Sequence, residues 1–277
     1  MKKICIFIHY SNFTYLPYYV LQYVKELSLF FDEILIVTNE REISNKSAFL
    51  SEKIRLLEVK NEGYDLGMFA KGFASLNLND YRQVACVNDS NVLLGNLGFL
   101  FKWAQKQMLD MWGLIDSQEK TNYSTHENNH HIQSHFLVFN KKALATLVAY
   151  FEQLDLQRVI DTKEVAVVKK MVINDWEVGV SQFMIKNGHN IGAYFHRENY
   201  IDKEYQPHIE MLLDGMPTLK KKIVTSVKPR DLLAGKNYWS RLVKKYAQNV
   251  VDASILLPEL KLIRRNYLFN AAKQLFR

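Results

Sequence analysis

The first half of the chain alternates short apolar runs with longer segments in which apolar residues recur every three or four positions. A short apolar run predicts a buried strand, and the longer spacing predicts an amphipathic helix. Strands are predicted at residues 3–9, 33–38, 54–59 and from 84 onward, with helices at 16–30 and 68–76. This alternation predicts an α/β fold, in which helices flank a largely parallel sheet.

The second half has a more mixed pattern. It predicts helices at 97–108 and 141–154 and strands at 111–115 and 134–139, with a polar segment at 116–129. That segment is too polar to pack and too long for a simple turn, so it is expected to be a binding segment, a lid or a disordered excursion.

The most informative stretch is VACVNDSNVLL at residues 84–94, an apolar run that breaks on Asn88, Asp89 and Ser90. Open α/β sheets bind ligands at the carboxyl ends of their strands, so a carboxylate here predicts a site. The same three residue types also favour a simple turn, because their side chains hydrogen-bond to nearby backbone. Taken alone, the stretch is compatible with either interpretation.

Composition narrows the class of protein. The chain has 277 residues, 48% hydrophobic and 23% charged, which is typical of a globular protein with a substantial core. Cys5 and Cys86 both lie in predicted strands, a pattern that indicates buried thiols and a cytoplasmic protein. The apolar stretch that starts the chain is too short for a secretory signal, and no run suits a membrane-spanning helix.

The basic charge is confined to the end of the chain. Residues 230–277 carry ten Lys and Arg against three Asp and Glu, which accounts for the whole net charge of +7. A neutral remainder argues against nucleic acid as a partner. The segment has an amphipathic helical pattern, and three roles are open for it: a cap on the core, contact with an anionic membrane, or an oligomer contact.

Several motifs in a fixed order point to a family. They are NEGYDLGMFAKGF at 61–73, VNDSNVLLGNL at 87–97, the pair Trp112-Gly113, HIQSHFLVFNKKAL at 131–144 and WEVGVSQFMIKNGH at 176–189. Together they resemble the rhamnan synthesis protein F family of bacterial polysaccharide glycosyltransferases. The resemblance covers about residues 1–225.

This resemblance implies a GT-A type fold for residues 1–229, with 230–277 as a basic helical extension. It also implies transfer of a sugar from a nucleotide-sugar, such as UDP-galactofuranose, another UDP-sugar or dTDP-rhamnose. The acceptor would be a lipid-linked or growing polysaccharide of a capsule, O-antigen or cell wall. Such a protein is expected on the inner face of the cytoplasmic membrane, as a peripheral protein.

Within this framework, polar residues at three segments are candidates for binding the nucleotide-sugar. The candidates are Asn39, Asn61, Gly63, Tyr64 and Asp65 on the nucleoside side, Asn88, Asp89 and Ser90 on the diphosphate side, and His131, Gln133 and Ser134 for the sugar hydroxyls or the diphosphate. Gly63 permits close backbone approach, and Asp65 can accept hydrogen bonds from a ribose or a base.

The reaction is expected to use a metal ion, although a metal-free reaction is an alternative. Related folds often place two carboxylates where this chain has only Asp89, so Mg²⁺ or Mn²⁺ would be held by Asp89, with His196 as a late second ligand. The alternative is a reaction without metal, in which Lys, Arg or His neutralises the leaving group.

Glu177 is the candidate base. It follows Asp175 and Trp176 at the predicted start of a helix, where a carboxylate is stabilised by the helix dipole even without a function. Asp175 is the better cap by type, which leaves Glu177 for taking the acceptor proton in an inverting displacement. Two other functions stay open: a non-catalytic subunit that scaffolds a polysaccharide synthase and, with less support, a nucleotidyltransferase.

Overall fold

The strands of the first half form the parallel part of one mixed sheet. The computed structural model describes residues 1–201, 206–225, 238–247 and 250–275. The parallel strands are β1 (Lys2–His9), β2 (Glu33–Asn39), β3 (Ile54–Val59) and β4 (Tyr81–Asn88). Since β1 pairs with both β2 and β4, His9 lies beside Thr38 and Ile8 beside Asn88. The carboxyl ends of these strands therefore open at one edge.

The sheet continues in the second half with a change of direction. The later strands are β5 (Asn91–Leu93), β6 (Met111–Ser117), β7 (His131–Ile132), β8 (Phe136–Asn140), β9 (Ile191–His196) and β10 (Thr218–Lys220). The order is β3-β2-β1-β4-β8-β6-β7, with β8 antiparallel to both neighbours and β9 parallel to β6. Strands β5 and β10 form a separate antiparallel pair, in which Lys220 lies opposite Asn91.

Helices cover both faces of the sheet. They are α1 (Tyr18–Leu27), α2 (Tyr64–Ala74), α3 (Gly98–Lys106), α4 (Lys141–Gln153), α5 (Leu156–Asp161), α6 (Val165–Val172), α7 (Gly179–Lys186), α8 (Pro207–Leu213), α9 (Lys221–Thr225), α10 (Tyr238–Tyr246) and α11 (Ala253–Leu275). Along β1, Cys5 and Phe7 join one apolar cluster while Ile4, Ile6 and Ile8 join the other. This arrangement confirms the predicted α/β class.

One local feature differs from the prediction, and another explains why the sequence has glycine at position 113. Asp116 and Ser117 belong to β6 and not to the predicted polar loop. In the Trp-Gly pair, a Cβ on Gly113 would lie 2.3 Å from Ile132 Cγ2 and 2.4 Å from the Phe136 carbonyl oxygen. Only glycine therefore allows β6, β7 and the start of β8 to approach this closely.

The basic segment at the end of the chain packs on the core. Its buried side chains join the apolar cluster that contains Cys5 and Phe7; they are Trp239, Leu242, Val243, Val251, Leu256, Leu257 and Leu260. The Glu259 carboxylate accepts the backbone N–H groups of Tyr18 at 2.7 Å and Tyr19 at 3.0 Å, at the start of α1. Of the three roles considered, a cap on the core is the one present in the described residues. The predicted boundary after residue 229 lies outside them.

None of the helices in these described ranges has the length and apolar character required to cross a membrane.

Because α11 contributes to the core, truncating Leu260 should destabilise the whole protein. Leu260 is fully buried, so Leu260→Ala is expected to lower the free energy of unfolding by about 2–5 kcal/mol. Ile255, on the same helix and 50% exposed, is the matched control, and Ile255→Ala should cost no more than about 0.5 kcal/mol. Denaturant unfolding measures both, and equal losses would show that α11 is not part of the core.

Candidate active site

A buried carboxylate lies at the centre of the edge where the parallel strands end. Asp89 follows β4 directly and is 9% exposed. Its Oδ2 accepts hydrogen bonds from His9 Nδ1 at 2.8 Å, Tyr19 Oη at 2.6 Å and Lys221 Nζ at 2.6 Å. These partners come from the end of β1, the first turn of α1 and the start of α9, so this one oxygen joins three separate parts of the chain.

The charges around Asp89 hold it ionised. Burial favours its neutral form, but the charge of Lys221 and the hydrogen bonds from His9 and Lys221 outweigh that effect and hold its pKa well below the usual range. Burial also lowers the pKa of His9, so this imidazole is neutral and its Nδ1 carries the proton given to the carboxylate. In addition, Asn88 Oδ1 accepts the N–H of Ser90 at 3.0 Å. Asn88 and Ser90 thus form a turn beside the buried carboxylate, and a ligand site at Asp89 stays a prediction.

The Gly-rich motif at residues 61–67 forms the start of α2. Gly63 has φ 69°, and a Cβ on Gly67 would lie 2.0 Å from the Glu62 carbonyl oxygen. The tight entry directs Asp65 toward the site, where its Oδ2 accepts from Asn88 Nδ2 at 2.5 Å. Burial and the negative charge of Asp89 raise the pKa of Asp65 to about 6. This motif thus adds a second carboxylate beside Asp89.

Glu177 does not lie in the first turn of a helix, and this prediction is wrong. The helix begins with α6 at Val165, passes through a π-helical turn at Ile173–Val178 and continues as α7. Asp175 is therefore inside the helix and is not its N-cap. Trp176 is fully buried, with its ring centroid 5.5 Å from that of Phe69. π-Turns within helices are frequent at functional sites.

The Glu177 carboxylate is oriented by the HIQSH motif. Its Oε2 accepts from Ser134 Oγ at 2.8 Å and from the Ser134 N–H at 3.4 Å. Its Oε1 lies 3.7 Å from His131 Nε2, longer than a direct hydrogen bond, and the side chain is 29% exposed. His131 Nδ1 donates to the Asn129 carbonyl at 2.6 Å. Glu177 therefore has one fixed oxygen and one that makes no hydrogen bond to the described residues.

The other residues predicted to bind the nucleotide-sugar differ in their exposure and in their hydrogen bonds. Asn39 Oδ1 already accepts from Arg41 Nη1 at 2.7 Å and from the Ser11 N–H at 3.1 Å. Asn61 and Tyr64 are exposed at the start of α2. Gln133 is 8% exposed, next to Ser134. Asn39 thus has its side-chain oxygen satisfied, while the exposed residues leave room for a ligand.

His196 is paired with a carboxylate that the sequence did not indicate. Its Nδ1 lies 2.9 Å and 3.0 Å from the two oxygens of Asp116, and His130 Nε2 lies 3.2 Å from the same group. The bond to Asp116 raises the pKa of His130. Asp116 was missed because the polar residues after it suggested a loop.

The two predicted metal ligands do not form a divalent-cation site in this arrangement. Asp89 is paired with Lys221, and His196 with Asp116. Across residues 1–201, 206–225, 238–247 and 250–275, no three His, Cys, Asp or Glu side chains are arranged to hold a metal ion. The expectation of Mg²⁺ or Mn²⁺ remains a prediction, and these residues do not fit it.

Several partners in the site were missed at the sequence level. His9 ends an apolar run in the same way as Asn88 does, and that polar strand end was an available signal. Tyr19 and Lys221 carry no comparable signal, because one lies within a helical pattern and the other lies 132 positions from Asp89.

The raised pKa of Asp65 gives a testable pH dependence. A carboxyl that holds its proton longer when folded makes the folded state progressively less stable as pH rises from its ordinary pKa of 3.8 to about 6. The stability of Asp65→Asn relative to the natural protein should therefore increase across this range. Asp89 ionises at lower pH and does not interfere. Denaturant unfolding at several pH values measures this, and a difference independent of pH would contradict it.

Comparisons with known proteins give a family and a set of distant folds. The search of curated proteins returned no match. GlyE of Streptococcus pneumoniae TIGR4, a glycosyltransferase, matches at TM-score 0.44 and 13% identity over 93% of this chain and 62% of its own. A candidate nucleotide-diphospho-sugar transferase of Desulfovibrio desulfuricans G20 matches at TM-score 0.44 and 10% identity over 88% and 97%.

With a TM-score of 0.44, neither structural match indicates what this protein does. The sequence model described as rhamnan synthesis protein F matches residues 34–258, which is most of the chain and extends into the basic segment. The chain therefore belongs to the rhamnan synthesis protein F family.

Proposed function

We propose that this protein is a glycosyltransferase that moves a sugar from a nucleotide-sugar to a lipid-linked or growing polysaccharide. Family membership supports the class of reaction. The observation that carries the assignment is Glu177, a partly exposed carboxylate with one oxygen fixed by Ser134 and the other without a hydrogen bond to the described residues. An inverting glycosyltransferase needs such a group to receive the acceptor proton.

The proposed reaction is an inverting displacement. The acceptor hydroxyl oxygen bonds to the anomeric carbon of the donor sugar while the bond from that carbon to the diphosphate oxygen breaks. The electron pair of the broken bond leaves with the diphosphate, and the hydroxyl proton passes to Glu177 Oε1. Ser134 keeps the carboxylate aimed by holding Oε2.

The donor would lie along the edge between Asp65 and Glu177. The two carboxylates interact electrostatically, since the charge of Glu177 contributes to the raised pKa of Asp65. Asp65 and the exposed Tyr64 are proposed to contact the nucleoside. The diphosphate would follow at Asn88, Asp89 and Ser90, which brings the sugar to the side of Glu177, His131 and Ser134.

A donor screen with a matched pair of variants tests this function. The natural protein, incubated with UDP-sugars and dTDP-sugars and a lipid-linked acceptor, is expected to turn over one donor. Glu177→Gln should lower kcat by about 10²–10⁴-fold with donor binding unchanged, because only the proton acceptor is lost.

Asp175→Asn is the control, since Asp175 lies in the same π-turn and its side chain bonds to Asn174 and not to Ser134. Full activity in Glu177→Gln would remove Glu177 as the base. Equal losses in both variants would indicate damage to the turn.

A second function is a non-catalytic subunit that scaffolds a polysaccharide synthase. It is favoured by the single carboxylate at the end of β4, which is already engaged by Lys221. Calorimetry separates the two functions: nucleotide-sugar binding without turnover by any donor, together with a stable complex with a partner transferase, would favour the scaffold.

The basic end of the chain is proposed to hold the protein on the cytoplasmic face of an anionic membrane, near its acceptor. Trp239, Leu242 and Val243 face the core, while Arg241, Lys244 and Lys245 of α10 are exposed. Lys261 and Arg265 of α11 are exposed as well. A basic surface of this kind attracts anionic headgroups within a Debye length.

Charge reversal tests this contact without disturbing the core. The triple variant R241E/K244E/K245E should weaken binding to anionic vesicles by about a hundredfold or more, since each basic residue contributes about 1 kcal/mol near such a surface. The control K102E/K106E/K120E makes the same charge change at exposed positions elsewhere. Vesicle cosedimentation at increasing salt measures both, and equal losses would mean that α10 is not the docking surface.

A further inference from the structure

The sequence has two adjacent lysines at the boundary between β10 and α9, and the backbone holds them opposite Asn91 and Ser90, the residues that follow Asp89. Lys220 pairs with Asn91 in the β5–β10 ladder, and the Lys221 N–H donates to the Ser90 carbonyl at 2.8 Å. Asp89 lies directly before this paired segment. The two lysines are therefore built into the site by main-chain contacts and do not reach it from a distant surface.

The Lys221 ammonium is held in the site by one contact to Asp89 and two to Tyr19. Its Nζ lies 2.6 Å from Asp89 Oδ2, 3.3 Å from Tyr19 Oη and 5.5 Å from the centre of the Tyr19 ring. Its side chain is 25% exposed, which leaves part of the ammonium open to a ligand. Lys221 thus brings a fixed positive charge to the position where related folds use a metal ion.

Lys220 is a cation without a bonded anion. Its Nζ lies 2.9 Å from His208 Nε2, and no carboxylate within the described part of the chain is hydrogen-bonded to it. Burial lowers the pKa of Lys220. The more distant charges of Glu177 and Glu119 act in the opposite direction but are weaker. Burying a charged ammonium without a bonded partner is costly, and a bound anion would remove that cost.

Two histidines near Lys220, His208 and His135, each have a buried ring nitrogen without a hydrogen bond to the described residues. An ammonium can only donate, so His208 Nε2 accepts from Lys220 and the proton of the neutral imidazole lies on Nδ1. Within the part of the chain that the structure describes, that Nδ1 is buried without a hydrogen-bond partner, as is His135 Nε2. Burial, followed by the charge of Lys220, lowers the pKa of His135 to about 3 and that of His208 to about 2. The His208 Nδ1–H is thus a buried donor that no described residue accepts.

We propose that Lys220, Lys221 and His208 form a cationic cradle for the diphosphate of the nucleotide-sugar, so that lysine ammonium groups and not a divalent cation neutralise the leaving group. The Lys221 ammonium contacts Asp89, and the Lys220 ammonium contacts His208 Nε2. The cradle therefore offers two ammonium groups and one imidazole N–H to two phosphates. The proposal rests on the proposed transferase function. It also accounts for the poor fit of Asp89 and His196 to a metal site.

Inorganic pyrophosphate is the probe, because it presents the diphosphate without nucleoside or sugar. Calorimetry in the presence of EDTA should show pyrophosphate binding to the natural protein, and Mn²⁺ added alone should give no binding heat. Lys220→Met and Lys221→Met should each weaken pyrophosphate binding by about tenfold or more, the loss of one charge-assisted hydrogen bond.

Lys222→Met is the matched control, since Lys222 is the next residue along and is exposed; it should bind within twofold of the natural protein. Lys220→Met is expected to unfold at the same or a higher temperature, because it removes a partly buried charge without a bonded anion. Lys221→Arg keeps a cation beside Asp89 and should retain binding if Lys221→Met does not fold.

Three results would overturn the cradle: no pyrophosphate binding in EDTA, binding that appears only with Mn²⁺, or equal losses in the Lys220, Lys221 and Lys222 variants. Turnover in the donor screen decides the transferase and pyrophosphate binding decides the cradle, so the two can fail separately.

Discussion

The structure of the site depends on one buried oxygen, Asp89 Oδ2. It accepts hydrogen bonds from His9, Tyr19 and Lys221, which lie on β1, on α1 and at the start of α9. A buried carboxylate is stable only when it is paired and hydrogen-bonded, so these partners keep it ionised at the edge of the sheet. Because the partners are far apart in the chain, the same contacts also hold β1, α1 and the start of α9 together at this edge.

The end of the chain supports this oxygen from a distance. Glu259 accepts the first N–H groups of α1, a helix that lacks a side-chain cap of its own, and so fixes the turn that carries Tyr19. Tyr19 in turn donates to Asp89. The basic helices thus combine two roles: an apolar side that completes the core and orders the site, and an exposed basic side available for an anionic surface.

The sequence pattern predicted the elements better than the contacts between them. The strand Ile54–Val59 was predicted at its observed bounds, since a short apolar run is a local signal. The start of the helix near Glu177 was misplaced, because Asp175 resembles a helix cap but lies in a π-turn inside a longer helix. Asp89 could be singled out as a strand end, whereas Lys221 could not, because pairing across 132 positions leaves no periodic trace.

We propose that a nucleoside diphosphate binds along this edge with its phosphates against lysines. The electron density of the protein crystallised with UDP tests this binding mode. Both phosphates are expected within hydrogen-bond distance of the Lys220 and Lys221 ammonium groups. Phosphates bridged to Asp89 by a metal ion, or bound away from this edge, would contradict it.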